Sequence, residues 1–138
     1  MPFDLERFVV AQEAAFEGAL RELRQGQKTG HWIWFIFPQL AGLGRSEMSQ
    51  RYGIESVGEA RAYLDHPVLG PRLRECVSTV LATSGSTAEQ IFGSLDAKKV
   101  RSSMTLFHRA APGDPLFTEM LERWYGSVAD QATDALLG

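Results

Sequence analysis

Two stretches of the chain concentrate side chains that could bind or react. "KTGHWIWFIFPQ", residues 28–39, sets Lys28 and His31 ahead of four aromatics and Gln39 just behind them. "LDAKKVRSS", residues 95–103, holds Asp96, Lys99, Ser102 and Ser103, and "RYGI" adds Arg51 and Tyr52. A lysine or guanidinium neutralises phosphate or carboxylate, an indole lies flat on a ring, and amide or hydroxyl groups fix orientation. Together these types describe a site for an anionic small molecule with a planar ring, such as a nucleotide or an ADP-ribose derivative. Lys28, Trp32, Trp34, Gln39, Arg51, Tyr52, Lys99, Ser102 and Ser103 are the candidate binding residues. His31 and Asp96 are the candidates to move a proton if a reaction follows binding. A carboxylate paired with Lys99 stays ionised, which suits a base or a cation stabiliser better than an acid.

Each of these residues also has a plainer role. Asp96 can cap a helix and form an i,i+3 ion pair with Lys99. Most of the aromatics can be core, and His31 can be a satisfied structural histidine. On that reading the chain is a non-catalytic protein-interaction module whose polar residues hold helices in register. The sequence carries no signature that decides whether it is an enzyme.

The elements that must position these groups read as helices. Asp4 is expected to cap a helix from Leu5 to about Arg24, with Leu5, Phe8, Val9, Phe16, Ala19, Leu20 and Leu23 on one stripe. Gln12 falls inside that stripe, so its amide needs partners. Ser56-x-x-Glu59 and Thr87-x-x-Gln90 are capping boxes. His66-Pro67 breaks the first of these helices, with Pro67 opening the next, which buries Leu69, Leu73, Cys76, Val77 and Val80. Gly93 ends the short helix, and Asp96 is expected to cap one running to about Ala110. On that helix the wheel turns Asp96, Lys99 and Ser103 inward, and Lys98, Arg101, Thr105 and His108 toward water. Asp114-Pro115 opens a further helix closed by Gly126, and "VADQATDALLG" adds a last turn or two.

"WIWFIF" has the composition of a strand, but no second strand pattern exists to pair with it, so it is read as a short buried helix. On a helix, Trp32 and Trp34 would face different walls. Residues 40–56 form the longest irregular stretch, a loop enclosing a helical turn at 46–52. The fold class is all-α: one compact domain, residues 1–138, of about six to eight short helices.

Composition closes off several classes. At 44% hydrophobic and 22% charged the chain is a folded one, and 17 acidic against 14 basic residues argue against nucleic acid and anionic membrane as partners. No apolar run approaches the roughly 20 residues that span a bilayer. "MPFDLERFVV" shows no signal-peptide pattern, and Cys76 is a single cysteine, so a cytoplasmic location is expected. The histidines at 31, 66 and 108 lack metal-ligand spacing, and no phosphate loop, dinucleotide fingerprint or nucleophile elbow is present. No cofactor is implied, and oligomeric state has no signature here.

"K-x-G-H-W-x-W-F-I-F-P-Q", "RYGI", "AYLDHPVLGPRLREC", "IFGSLDAKKVRSSMTLF" and "DQATDALLG", in this order, resemble the bacterial family called domain of unknown function 1810. The resemblance runs from about Phe3 to Gly138 and implies a small, single-domain, all-helical protein. It implies no established activity, so no catalytic residue is carried over. Its shared motifs include Lys28, His31, Trp32, Trp34, Gln39, Tyr52, Asp96, Lys99, Ser102 and Ser103. Gly30 stands where relatives often carry serine, and Leu95 where they often carry proline. Some relatives bear the label calpastatin, which fits poorly, since that inhibitor is a disordered polar chain and this one is aromatic-rich.

Overall fold

The computed structural model describes residues 3–138. The first helix, α1 (Glu6–Gln25), does not use the cap the sequence offers. Leu5 occupies the N-cap position with helical backbone angles and no side-chain cap bond. The Asp4 carboxylate caps nothing, and its carbonyl accepts from Arg7 Nη1. Phe8, Phe16, Ala19, Leu20 and Leu23 are buried as the stripe predicts, and Gln12 is buried among them. Its Nε2 donates to the Phe35 carbonyl at 2.7 Å and to the Tyr63 hydroxyl at 3.0 Å. This glutamine therefore ties α1 to two later segments, satisfying a buried amide that would otherwise cost stability.

The aromatic stretch is helical, as α2 (Ile33–Ile36), and Phe37 ends it with non-helical angles. The loop that follows contains α3 (Glu47–Arg51), capped by Ser46. Two backbone bonds close that loop, Ala41 N to Ile54 O at 2.7 Å and Ile54 N to Gln39 O at 2.9 Å. They make a single parallel bridge between Leu40 and Ile54 and no extended strand.

In α4 (Val57–Asp65) the Ser56 hydroxyl accepts from Glu59 N as a capping box requires. Glu59 does not return the bond to Ser56. It accepts from Glu55 N at 2.7 Å and, on its other oxygen, from Arg7 at 3.0 Å. The turn into α5 (Leu69–Leu81) is so tight that a Cβ on Gly70 would lie 2.1 Å from the Leu64 carbonyl oxygen. Pro67 precedes α5 rather than opening it. The donor groups at the start of α5 are met by His66, whose Nδ1 accepts from Val68 N at 3.1 Å and Leu69 N at 3.3 Å. Cys76 is core, and burial pushes its thiol up to about 12.

The Thr87–Gln90 capping box on α6 (Ala88–Phe92) is complete in both directions. Gly93, with φ of 82°, then ends α6 and at once starts α7 (Ser94–Ala110). Asp96 is thus in the first turn of α7 and does not cap it. α7 packs against α2, α4, α6, α8 (Pro115–Tyr125) and α9 (Gln131–Leu137), which makes it the central helix. That surround overturns one wheel expectation: Thr105 is fully buried, donating to the Arg101 carbonyl at 2.8 Å and accepting from Asp130 N at 2.9 Å. The covering element is α9, whose Asp134 takes Arg109 in a two-pronged ion pair, Nε to Oδ1 and Nη2 to Oδ2, both at 2.8 Å. Asp114 and Pro115 open α8 and Gly126 closes it, as their types predict.

Candidate functional site

The site is built where the loop after α1 meets the first turn of α7. Gly26 ends α1 in the left-handed region at φ 77°, and Lys28 N then donates to the Ile91 carbonyl, which lays the loop against α6. Glu22 fixes the rest of it. One oxygen, Oε1, accepts from Thr29 N at 2.7 Å, Gly30 N at 2.8 Å and Trp32 Nε1 at 3.0 Å. Burial alone would raise this carboxyl, but the N–H donors outweigh it and hold the group at about 2, against an ordinary 4.5. A Cβ on Gly30 would come within 2.9 Å of the Trp32 ring, so a side chain there displaces the indole.

The loop delivers Lys28 to Asp96. Lys28 Nζ lies 2.7 Å from Asp96 Oδ2 and donates to the Gly30 carbonyl at 2.6 Å. Lys99 Nζ lies 3.3 Å from the other oxygen of the same carboxylate. Each ammonium also rests on an indole, Lys28 at 5.1 Å from the Trp32 ring centre and Lys99 at 5.3 Å from that of Trp34. Trp32 and Trp34 therefore flank one ion cluster rather than facing separate walls. The helical spacing rule does not apply to the pair because Trp32, at φ −133° and ψ 6°, precedes the helix.

The three charged side chains differ in access, at 7% exposure for Lys28, 17% for Asp96 and 30% for Lys99. Lys28 is consumed by its partners, whereas Lys99 keeps donors turned to solvent. Two lysines against one aspartate leave the trio with one positive charge in excess. Two buried polar atoms on these elements lack a partner among the described residues: Trp34 Nε1 and Ser103 Oγ. Ser103 stands one helical turn beyond Lys99. Ser102 is buried too, with its hydroxyl donating to the Lys98 carbonyl at 3.2 Å.

Trp34 also borders a narrow crevice with Gln39, Leu40, Gly44, Ser49, Tyr52 and Gly53, of about 10 Å³, room for a single water-sized group. Tyr52 is largely core, its ring 5.4 Å from Phe35 and 5.8 Å from Phe8. The structure thus brings together Lys28, Trp32, Trp34, Asp96 and Lys99, and places Gln39 and Tyr52 along the crevice that Trp34 shares. It does not bring Arg51 into the ion cluster. That guanidinium is exposed, lies over the Tyr52 ring at 5.7 Å and lines a separate hollow of about 450 Å³. His31 is exposed and hydrogen-bonds to none of the described residues. Glu22 and the Arg7–Glu59 pair escape the sequence reading. A signal for Glu22 does exist, because a carboxylate in the last turn of a helix opposes the dipole and needs donors from elsewhere.

Fold and site define an all-helical protein with an indole-flanked lysine–aspartate cluster between its second and seventh helices. The profile of the family described as Protein of unknown function (DUF1810) matches residues 2–137, and the chain belongs to that family. Among solved structures, the conserved hypothetical protein Rv1873 from Mycobacterium tuberculosis is similar, with 51% identity and a TM-score of 0.97 over 99% of this chain and 98% of that one. No curated protein matches the chain. No helix of the described residues is long and apolar enough to cross a membrane.

Proposed function

We propose that the chain binds an anionic small molecule, nucleotide- or ADP-ribose-like, at the seam between α2 and α7, with its phosphate on Lys99. The observation that carries this reading is a surplus of donors: a partly exposed ammonium over the Trp34 ring, whose own buried indole N–H has no partner among the described residues. Buried polar groups are normally satisfied, and a ligand rich in acceptors is the chemistry that would satisfy these. Trp34, partly open to solvent, is the indole left to meet a ring at the surface, since Trp32 is 4% exposed and clamped by Glu22. Asp96 already has an ammonium at each oxygen and His31 is exposed, so this reading assigns binding, not proton transfer, to the face.

The test is ligand-observed NMR with inorganic phosphate, AMP, ADP and ADP-ribose, run beside tryptophan fluorescence. At least one phosphate ester is expected to bind and to change the emission, with Lys99→Ala weakening it about tenfold, the loss of one charged contact. A panel in which nothing binds, or binding that Lys99→Ala and Trp34→Phe leave unchanged, overturns it.

A further inference from the structure

We propose that the hollow between the N-terminal segment, α3 and α4 is a second site, which takes a free α-amino acid with an apolar side chain. The floor of this hollow is fixed. Arg7 donates to the carbonyls of Arg51, Gly53 and Asp4 and to Glu59 Oε2. Glu59, with a side chain only 2% exposed, takes Glu55 N on its other oxygen. Both floor charges are therefore spent on the protein itself.

The rim is the opposite case. Arg51, Asp4 and Glu55 are all exposed and line the same space of about 450 Å³. Among the described residues, none of the three charged groups forms an ion pair or accepts or donates a side-chain hydrogen bond. A guanidinium and two carboxylates thus border one hollow without coming within ion-pair distance of each other. A ligand carrying a single charge would satisfy one pole and be repelled by the other. A molecule with a carboxylate and an ammonium a few ångströms apart satisfies both, the carboxylate on Arg51 and the ammonium shared between Asp4 and Glu55. The rim sums to one negative charge, which disfavours a simple anion and separates this site from the Lys99 face. Phe3, 37% exposed on the same wall, supplies an apolar contact for the ligand's side chain. The volume lies within the range of small-molecule sites and leaves room for such a ligand.

The experiment titrates the full-length chain with L-phenylalanine, phenylacetate and phenethylamine, following backbone amide shifts by NMR. L-Phenylalanine is expected to move the amides of residues 50–55, and each single-charge analogue to bind at least about tenfold more weakly. Arg51→Ala and Glu55→Gln, both at exposed positions, should each weaken the amino acid about tenfold, while Lys99→Ala leaves it unchanged. Equal binding of a single-charge analogue, an affinity unchanged from the parent chain in both variants, or no shift at about 10 mM ligand overturns the proposal.

Discussion

Replacing Glu22 with glutamine should cost about 1–2 kcal/mol at neutral pH and almost nothing near pH 2. The carboxylate is held at about 2 against an ordinary 4.5. At about 1.36 kcal/mol per pH unit that difference is a ceiling of about 3.4 kcal/mol, and partial access to water reduces it by half or more. The sign follows from which state takes up protons. Between pH 4.5 and about 2 the unfolded chain protonates Glu22 and the folded chain resists, so the stabilisation is complete above pH 4.5 and lost as pH falls through the window. Glutamine retains an acceptor oxygen but carries no charge, so its contribution does not change over that range. Urea unfolding of both proteins from pH 7 to pH 2 measures the difference directly, and at pH 7 the variant should melt roughly 3–8 °C lower. Equal stability at pH 7, or a difference that stays constant down to pH 2, would refute the reasoning. The outcome bears on the site as well, because Glu22 holds the loop that carries Lys28 and Trp32.

Three further perturbations separate the remaining contributions. Asp96→Asn leaves Lys28, almost fully buried, without its counter-charge, and chemical denaturation should show a loss of about 2–4 kcal/mol, smaller when Lys28→Met is added. Gln12→Leu strands the Phe35 carbonyl and the Tyr63 hydroxyl inside the core and should cost about 2 kcal/mol by the same assay, whereas Tyr63→Phe costs less. His66→Ala removes the acceptor for two donors at the start of α5 and should cost about 1 kcal/mol, with His66→Asn recovering part of it.

What could be read ahead of the structure were features decided within a turn or two of helix. Thr87 and Gln90 cap each other because both partners lie in four residues. Asp114, Pro115 and Gly126 bracket α8 for the same reason. "WIWFIF" reads as a helix because no strand exists to pair with it, and the one backbone bridge among the described residues, Leu40 to Ile54, does not involve it. Asp96 has the type of a cap but lies inside the helix, because Gly93 starts it three residues earlier with no side chain to mark the place. Thr105 falls on the water side of a helical wheel, which knows nothing of α9, yet α9 arrives from 25 residues downstream to cover it. The Lys28–Asp96 pair joins residues 68 positions apart, and the Arg7 fan reaches Gly53 and Glu59. Such contacts are products of tertiary packing, and no local spacing encodes them. The inward turn of Asp96 and Lys99 was legible; the partner that explains it was not.

The paired backbone bonds between residues 39–41 and 54 hold the two ends of the intervening segment side by side. Lengthening a segment whose ends are already joined adds closure entropy only as the logarithm of its length. The stretch around Gly44 to Ser46 is thus a natural port for grafting a foreign peptide or a fluorescent reporter. Because that stretch borders the Trp34 crevice, a dye inserted there would turn the chain into a sensor of whatever settles against the indole.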